Sequence, residues 1–142
     1  MTKRSAIVQI VLLFATVAFA ATESVEQLRA KAAQAEPKDH PKLYAKIADL
    51  EVKEVNRLFD SGDVTSAHAL LGTLVEDCEK AAKASVSTGK RMKQTEISLR
   101  KISDTLERIR KSVDFDNRPP VQHAIERIEH ARNELLATMF TK

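Results

Sequence analysis

The sequence predicts an all-α protein: a small helical bundle of four to five helices, built from antiparallel helical hairpins and preceded by a signal peptide. Three observations predict it. The chain holds only three glycines and four prolines, and all of them but Gly72 fall where helices should start or stop. Aromatic residues are few, and the Val/Ile/Thr alternation of strands is missing. Two long segments also carry apolar residues in alternating steps of three and four, the heptad seam of packed helices.

Residues 1–20 read as a leader. Lys3 and Arg4 give a positive start, residues 6–18 are almost all apolar or small, and Ala18-Phe19-Ala20 supplies a small-x-small cleavage pattern. The apolar run is shorter than the roughly 20 residues that span a bilayer, so cleavage after Ala20 is expected over retention as an anchor. That leaves 21–142 as a single helical domain, periplasmic or secreted, with no membrane span of its own.

Helix one is expected over 22–35, with Val25, Leu28, Ala32 and Ala35 as a thin apolar stripe and Glu23 and Glu26 at the positive end of the helix dipole. Pro37 and Pro41 break the chain. Helix two is expected over 41–59, with Pro41 in its first turn. Lys42, Lys46, Asp49, Lys53, Asn56 and Arg57 share its polar arc, and Leu43, Ile47, Leu50, Val55 and Leu58 lie opposite. Glu51 and Glu54 fall among the apolar residues. Burial would raise their pKa and suit them to acid/base work, but no second polar partner is evident. Pairing with lysines or arginines, for instance from helix four, explains them without chemistry.

Gly62 suits a left-handed helix end and Asp63 the cap of helix three, over 63–84. Its apolar face is Ala67, Leu70, Leu71, Leu74, Val75, Cys78, Ala81 and Ala82, and a weak break follows at 85–89. Helix four, over 90–113, carries the seam Met92, Thr95, Leu99, Ile102, Leu106, Ile109 and Val113. After a polar connector at 114–119, helix five opens with Pro120 in its first turn and repeats the seam at Val121, Ala124, Ile128, Ala131, Leu135 and Thr138. Two seams joined by a short connector predict an antiparallel hairpin of helices four and five. The same seams also allow a homodimer.

The turn at Gly62 and Asp63, with Ala67 soon after, resembles that of a tetratricopeptide repeat, which joins two antiparallel helices through a Gly-Asp turn. The likeness covers about a quarter of the chain and implies a helical hairpin with a peptide- or protein-binding role. The chain departs from the pattern elsewhere. Glu51 and Val55 stand where the family favours a large aromatic and a glycine, Glu79 replaces the closing proline, and no second copy follows at the family's period.

Charge and composition exclude several functions. The whole chain carries 23 basic and 20 acidic residues; without Lys3 and Arg4 the net charge is +1, too little concentrated positive charge for a nucleic-acid binder. Charge is nonetheless uneven, with a balance of −6 over 48–79 and +5 over 90–111. One cysteine rules out an internal disulfide and a Cys-x-x-Cys-His haem motif. Cys78, flanked by Asp77 and Glu79, lacks the cationic setting of a reactive thiol and reads as a core residue.

Metal binding would have to use His40, His68, His123 or His130. His123 and His130 share a face but stand about two turns, roughly 10 Å, apart. Glu126 and His130 are one turn apart, with Arg127 between them to repel a cation. Met92 and Met139 would be the methionine ligands for a non-covalent haem, but both lie on apolar seams, where packing explains them. Phosphate loops and nucleophile elbows are absent. The reading that remains is a non-enzymatic exported protein without a cofactor, acting through protein–protein contact as scaffold, adaptor or chaperone-like factor. The alternative is a ligand- or metal-binding bundle.

Overall fold

A computed structural model describes residues 23–141; the leader expectation for 1–20 lies outside the described residues. Five α-helices carry the fold: α1 (Val25–Gln34), α2 (His40–Asp60), α3 (Val64–Thr88), α4 (Met92–Ser112) and α5 (Arg118–Phe140). Single 3₁₀ turns at Pro37–Asp39 and Phe115–Asn117 precede α2 and α5, and no strand occurs among the described residues. The predicted all-α bundle of antiparallel hairpins is what the chain forms.

Helix ends follow local chemistry. Ser24, not Thr22, sets the start of α1 through a reciprocal capping box with Gln27: each side chain bonds the other residue's backbone N–H. α2 ends in a Schellman turn, in which Asp63 N–H reaches Leu58 C=O and Gly62 N–H reaches Phe59 C=O. Gly62 stands at φ 81° to close it. Asp63 then caps α3 by accepting from the Ser66 N–H. α3 runs past the expected break at Ser85 and stops at Gly89, where φ is 67°. Ser85 stays helical because its side chain is buried and its hydroxyl meets Thr95 of α4 at 2.7 Å. α5 begins at Arg118, two residues before Pro120, so that Pro119 and Pro120 both fall in the first turn.

α2–α5 form a four-membered ring in the order α2, α3, α5, α4. Neighbours α2/α3 and α4/α5 are antiparallel hairpins; α3 and α5 run the same way, as do α2 and α4. α3 and α4, although consecutive in sequence, face each other across the ring's diagonal.

Leu99, Ile102, Leu106 and Ile109 of α4 meet Val121, Ala124, Ile128 and Ala131 of α5, together with Leu74, Val75 and Cys78 of α3. The seams are thus filled by the chain's own helices, and a homodimer would have to use another surface. α1 lies outside the ring on α2, burying Leu28 and Ala32. His40 fixes its far end, since its Nε2–H donates to Ala32 C=O at 3.0 Å. No described helix is long and apolar enough to cross a membrane.

Candidate functional site

α1, α2 and α3 converge on one buried charged cluster. Glu51 of α2 and Asp77 of α3 are 2% and 1% exposed. Both occupy positions on the apolar stripes of their helices, so packing carries them inward. Arg29 of α1 covers them: its Nη1 and Nη2 donate to Asp77 Oδ1 (3.1 Å) and Oδ2 (2.6 Å), and Nη2 also donates to Glu51 Oε2 (3.3 Å). The fork on Asp77 is bidentate, the strong geometry for guanidinium and carboxylate.

One cation cannot neutralise two carboxylates at this depth. Burial, then the hydrogen bond to Asp77 and its negative charge, push Glu51 up to about 9, so it is a neutral acid at pH 7. Burial pushes Asp77 up as well, but hydrogen bonds from Arg29 and from the Glu51 carboxyl, with the charges of Arg29 and Lys80, outweigh it and hold Asp77 below its ordinary value. Arg29 is raised in turn, chiefly by its hydrogen bond to Asp77. The pair therefore carries one negative charge and one proton, matched by one guanidinium. Glu51 Oε1 is the exception in an otherwise satisfied cluster: it has no donor aimed at it.

Sequence reasoning singled out Glu51 and Glu54 together; the structure separates them. Glu54 turns outward and takes a two-pronged bond from Arg57 on its own helix. Glu51 is paired as expected, but with α1 and not with α4. The partner, Arg29, arrives from the covering helix, whose docking site a helical projection of α2 alone does not contain. Asp77 was missed as a site residue, although its spacing from Leu74 and Ala81 places it on the core stripe of α3.

Cys78 is fully buried, and burial raises its thiol well above the ordinary range, with Glu51, Asp77 and Glu79 adding to the effect. Such a thiol does not form the nucleophilic thiolate. His123 and His130 stand exposed on α5; His130 lies 3.2 Å from Glu134, while Arg127 between the two histidines pairs with Glu79 of α3. Among the described residues, no three His, Cys, Asp or Glu side chains gather at metal-binding distance. Met92 and Met139 are half-buried at helix ends. His68 packs edge-on against Phe59 with ring centroids 5.8 Å apart, and its buried Nε2 has no hydrogen-bond partner.

The two blocks of opposite charge pack together through apolar side chains and not through their charges. Among the described residues, no ion pair within 4.0 Å joins 48–79 to 90–111; the cross-helix pairs of these blocks run instead to Arg29 of α1 and to Arg127 and Arg132 of α5. Two of the surface grooves lie on opposite sides of the ring. One, of about 770 Å³, lies between the C-terminal halves of α3 and α5, with Ala82, Val86, Ala131 and Leu135 on its floor and Lys83, Arg127, His130 and Glu134 on its rim. The other, of about 310 Å³, lies between α2 and α4. Neither is lined by Glu51 or Asp77.

Compared with known proteins, no protein family, no curated protein and no solved structure matches this chain.

Proposed function

We propose that this chain is an exported, non-enzymatic helical protein that works through protein–protein contact, as a scaffold, adaptor or chaperone-like factor, by seating a partner's amphipathic helix between α3 and α5. The single observation behind this reading is the α3/α5 groove. Its floor is apolar, its rim is charged with both signs, and Val86 on that floor is 40% exposed. Small floor residues such as Ala82 and Ala131 let a third helix approach closely. A partner presenting apolar residues at helical spacing would complete the packing that α3 and α5 leave open. The polar cluster favours this over catalysis: Arg29 binds both Glu51 and Asp77, and neither carboxyl group lines either groove.

The test is capture of cell-envelope proteins on the purified chain and on a Val86→Glu variant. Val86 is exposed, so the variant keeps its fold while placing a charge on the apolar floor. A specific partner retained by the natural chain and lost with the variant supports the reading. Identical recoveries from the two baits would remove the groove from consideration. Export is tested separately: the mature chain isolated from its host should begin at Ala21 by mass spectrometry.

A further inference from the structure

The second groove has a different chemistry. It is lined on α2 by Pro41, Lys42, Lys46 and Asp49, and on the other side by Arg91, which precedes α4, and by Gln94, Ser98 and Lys101 of α4, with Ile102 beneath. Half of the basic side chains among the described residues have an acidic neighbour, as in Arg57–Glu54, Arg110–Glu107 and Arg127–Glu79. Lys42, Arg91 and Lys101 have none within 4.0 Å among the described residues, and all three are exposed. Lys46 is held only loosely, 3.7 Å from a Glu23 that already bonds Lys31. The one acid in the groove, Asp49, is drawn aside by Lys53 at 2.9 Å. Four cations and one acid thus line a single groove, in a described chain whose charges nearly cancel.

Their arrangement says what they fit. Arg91 at the N-cap of α4 and Lys101 within it are ten residues apart, roughly 15 Å, and Lys42 and Lys46 are one turn apart on the parallel helix beside it. These charges do not converge on a point, as they would around a single phosphate. They form two rails along an open trough. An extended chain advances about 3.3 Å per residue, so four or five residues would span the distance, offering side chains alternately to each rail. The uncapped first turn of α4, whose Met92, Lys93 and Gln94 N–H groups have no side-chain acceptor, borders the same end.

We propose that the α2/α4 groove binds an extended acidic peptide segment, its carboxylates spaced along Lys42, Lys46, Arg91 and Lys101. This surface lies on the face of the ring opposite the α3/α5 groove and stands or falls independently of it.

The probe is a fluorescein-labelled hexaglutamate peptide, followed by anisotropy at low ionic strength. Saturable binding is expected, weakened about tenfold in a Lys42→Glu/Arg91→Glu variant. An Arg108→Glu/Lys111→Glu variant, with the same change of charge at the other end of α4, should bind within about twofold of the natural chain. Melting curves followed by circular dichroism verify that both variants fold. Equal loss in both variants would reduce the effect to general attraction and overturn the proposal. So would inorganic phosphate displacing the probe as readily as unlabelled hexaglutamate, which would mark a single-anion site. Tighter binding to phosphatidylglycerol vesicles than to the peptide, lost in the Lys42/Arg91 variant, would reassign the surface to lipid.

Discussion

Replacing Glu51 with glutamine should stabilise this protein, and by an amount that grows with pH. In the folded chain Glu51 holds its proton up to about pH 9, against an ordinary value of 4.5. An acid whose folded pKa is raised contributes fully below its unfolded pKa, and its contribution is lost as pH rises toward the folded one. Each pH unit between those limits costs about 1.4 kcal/mol, because folding must recover a proton that the unfolded chain has released. At pH 7 the cost has reached about 3 kcal/mol.

Glutamine never titrates. Its amide N–H can donate to Asp77 where the carboxyl proton did, and its oxygen can still accept from Arg29. The stability gap between Glu51→Gln and the natural chain should therefore be about 1 kcal/mol at pH 5 and rise to about 4 kcal/mol or more at pH 8. Asp77 is shifted the opposite way, so its contribution is lost only as pH falls below the usual carboxylate range, outside this window. Urea unfolding followed at 222 nm, at pH 5, 6, 7 and 8, reads the gap directly, and groups remote from Glu51 cancel in the difference. A gap that stays constant within about 0.5 kcal/mol across that range would show that Glu51 is ionised in both states, and the account of the cluster would fail.

Other perturbations reach other parts of the fold. Arg29→Ala leaves the Glu51–Asp77 pair without its cation and should cost about 2–3 kcal/mol, with amide exchange rising first across Val25–Gln34; uniform exchange along the chain would contradict the role of Arg29 in holding α1. Leu99→Ala, at a position with no exposure, should cost about 3 kcal/mol in urea unfolding, whereas Val86→Ala should change stability by less than about 0.5 kcal/mol. Cys78 should resist Ellman's reagent at pH 8 until the chain unfolds, and immediate stoichiometric labelling of native protein would be incompatible with its burial.

The parts of the fold written in local spacing could be read from the sequence. Leu99, Ile102, Leu106 and Ile109 recur at three and four because α4 buries one stripe, and all four are in the core. Thr138 continues the α5 pattern yet is exposed, since α5 outruns its neighbours there. The turn at Gly62 was legible because a left-handed residue followed by a capping aspartate is a short-range signal.

The Arg29–Glu51–Asp77 cluster was only half legible. Glu51 stood out on an apolar stripe, but Arg29 lies 22 residues before it and 48 before Asp77, and no periodicity within one helix encodes such a meeting. Glu54 gave the same signal as Glu51 and lies outside, because a step of three along the helix carried it past the edge of the buried face. The grooves were not legible at all. A concavity is set by what neighbouring helices fail to fill, which follows from their spacing in three dimensions.

Because α3 and α4 stand across the diagonal, the only covalent tie between the two halves is the short span at Gly89, Lys90 and Arg91, while each hairpin closes on near neighbours in sequence. Such wiring favours two quick, local collapses followed by a docking step. It also means that cutting the backbone after Gly89 would sever no hairpin, leaving two pieces whose oily surfaces match and which can find each other again. The molecule is in effect a pair of clasped folds, with Gly89–Arg91 serving as tether more than as hinge.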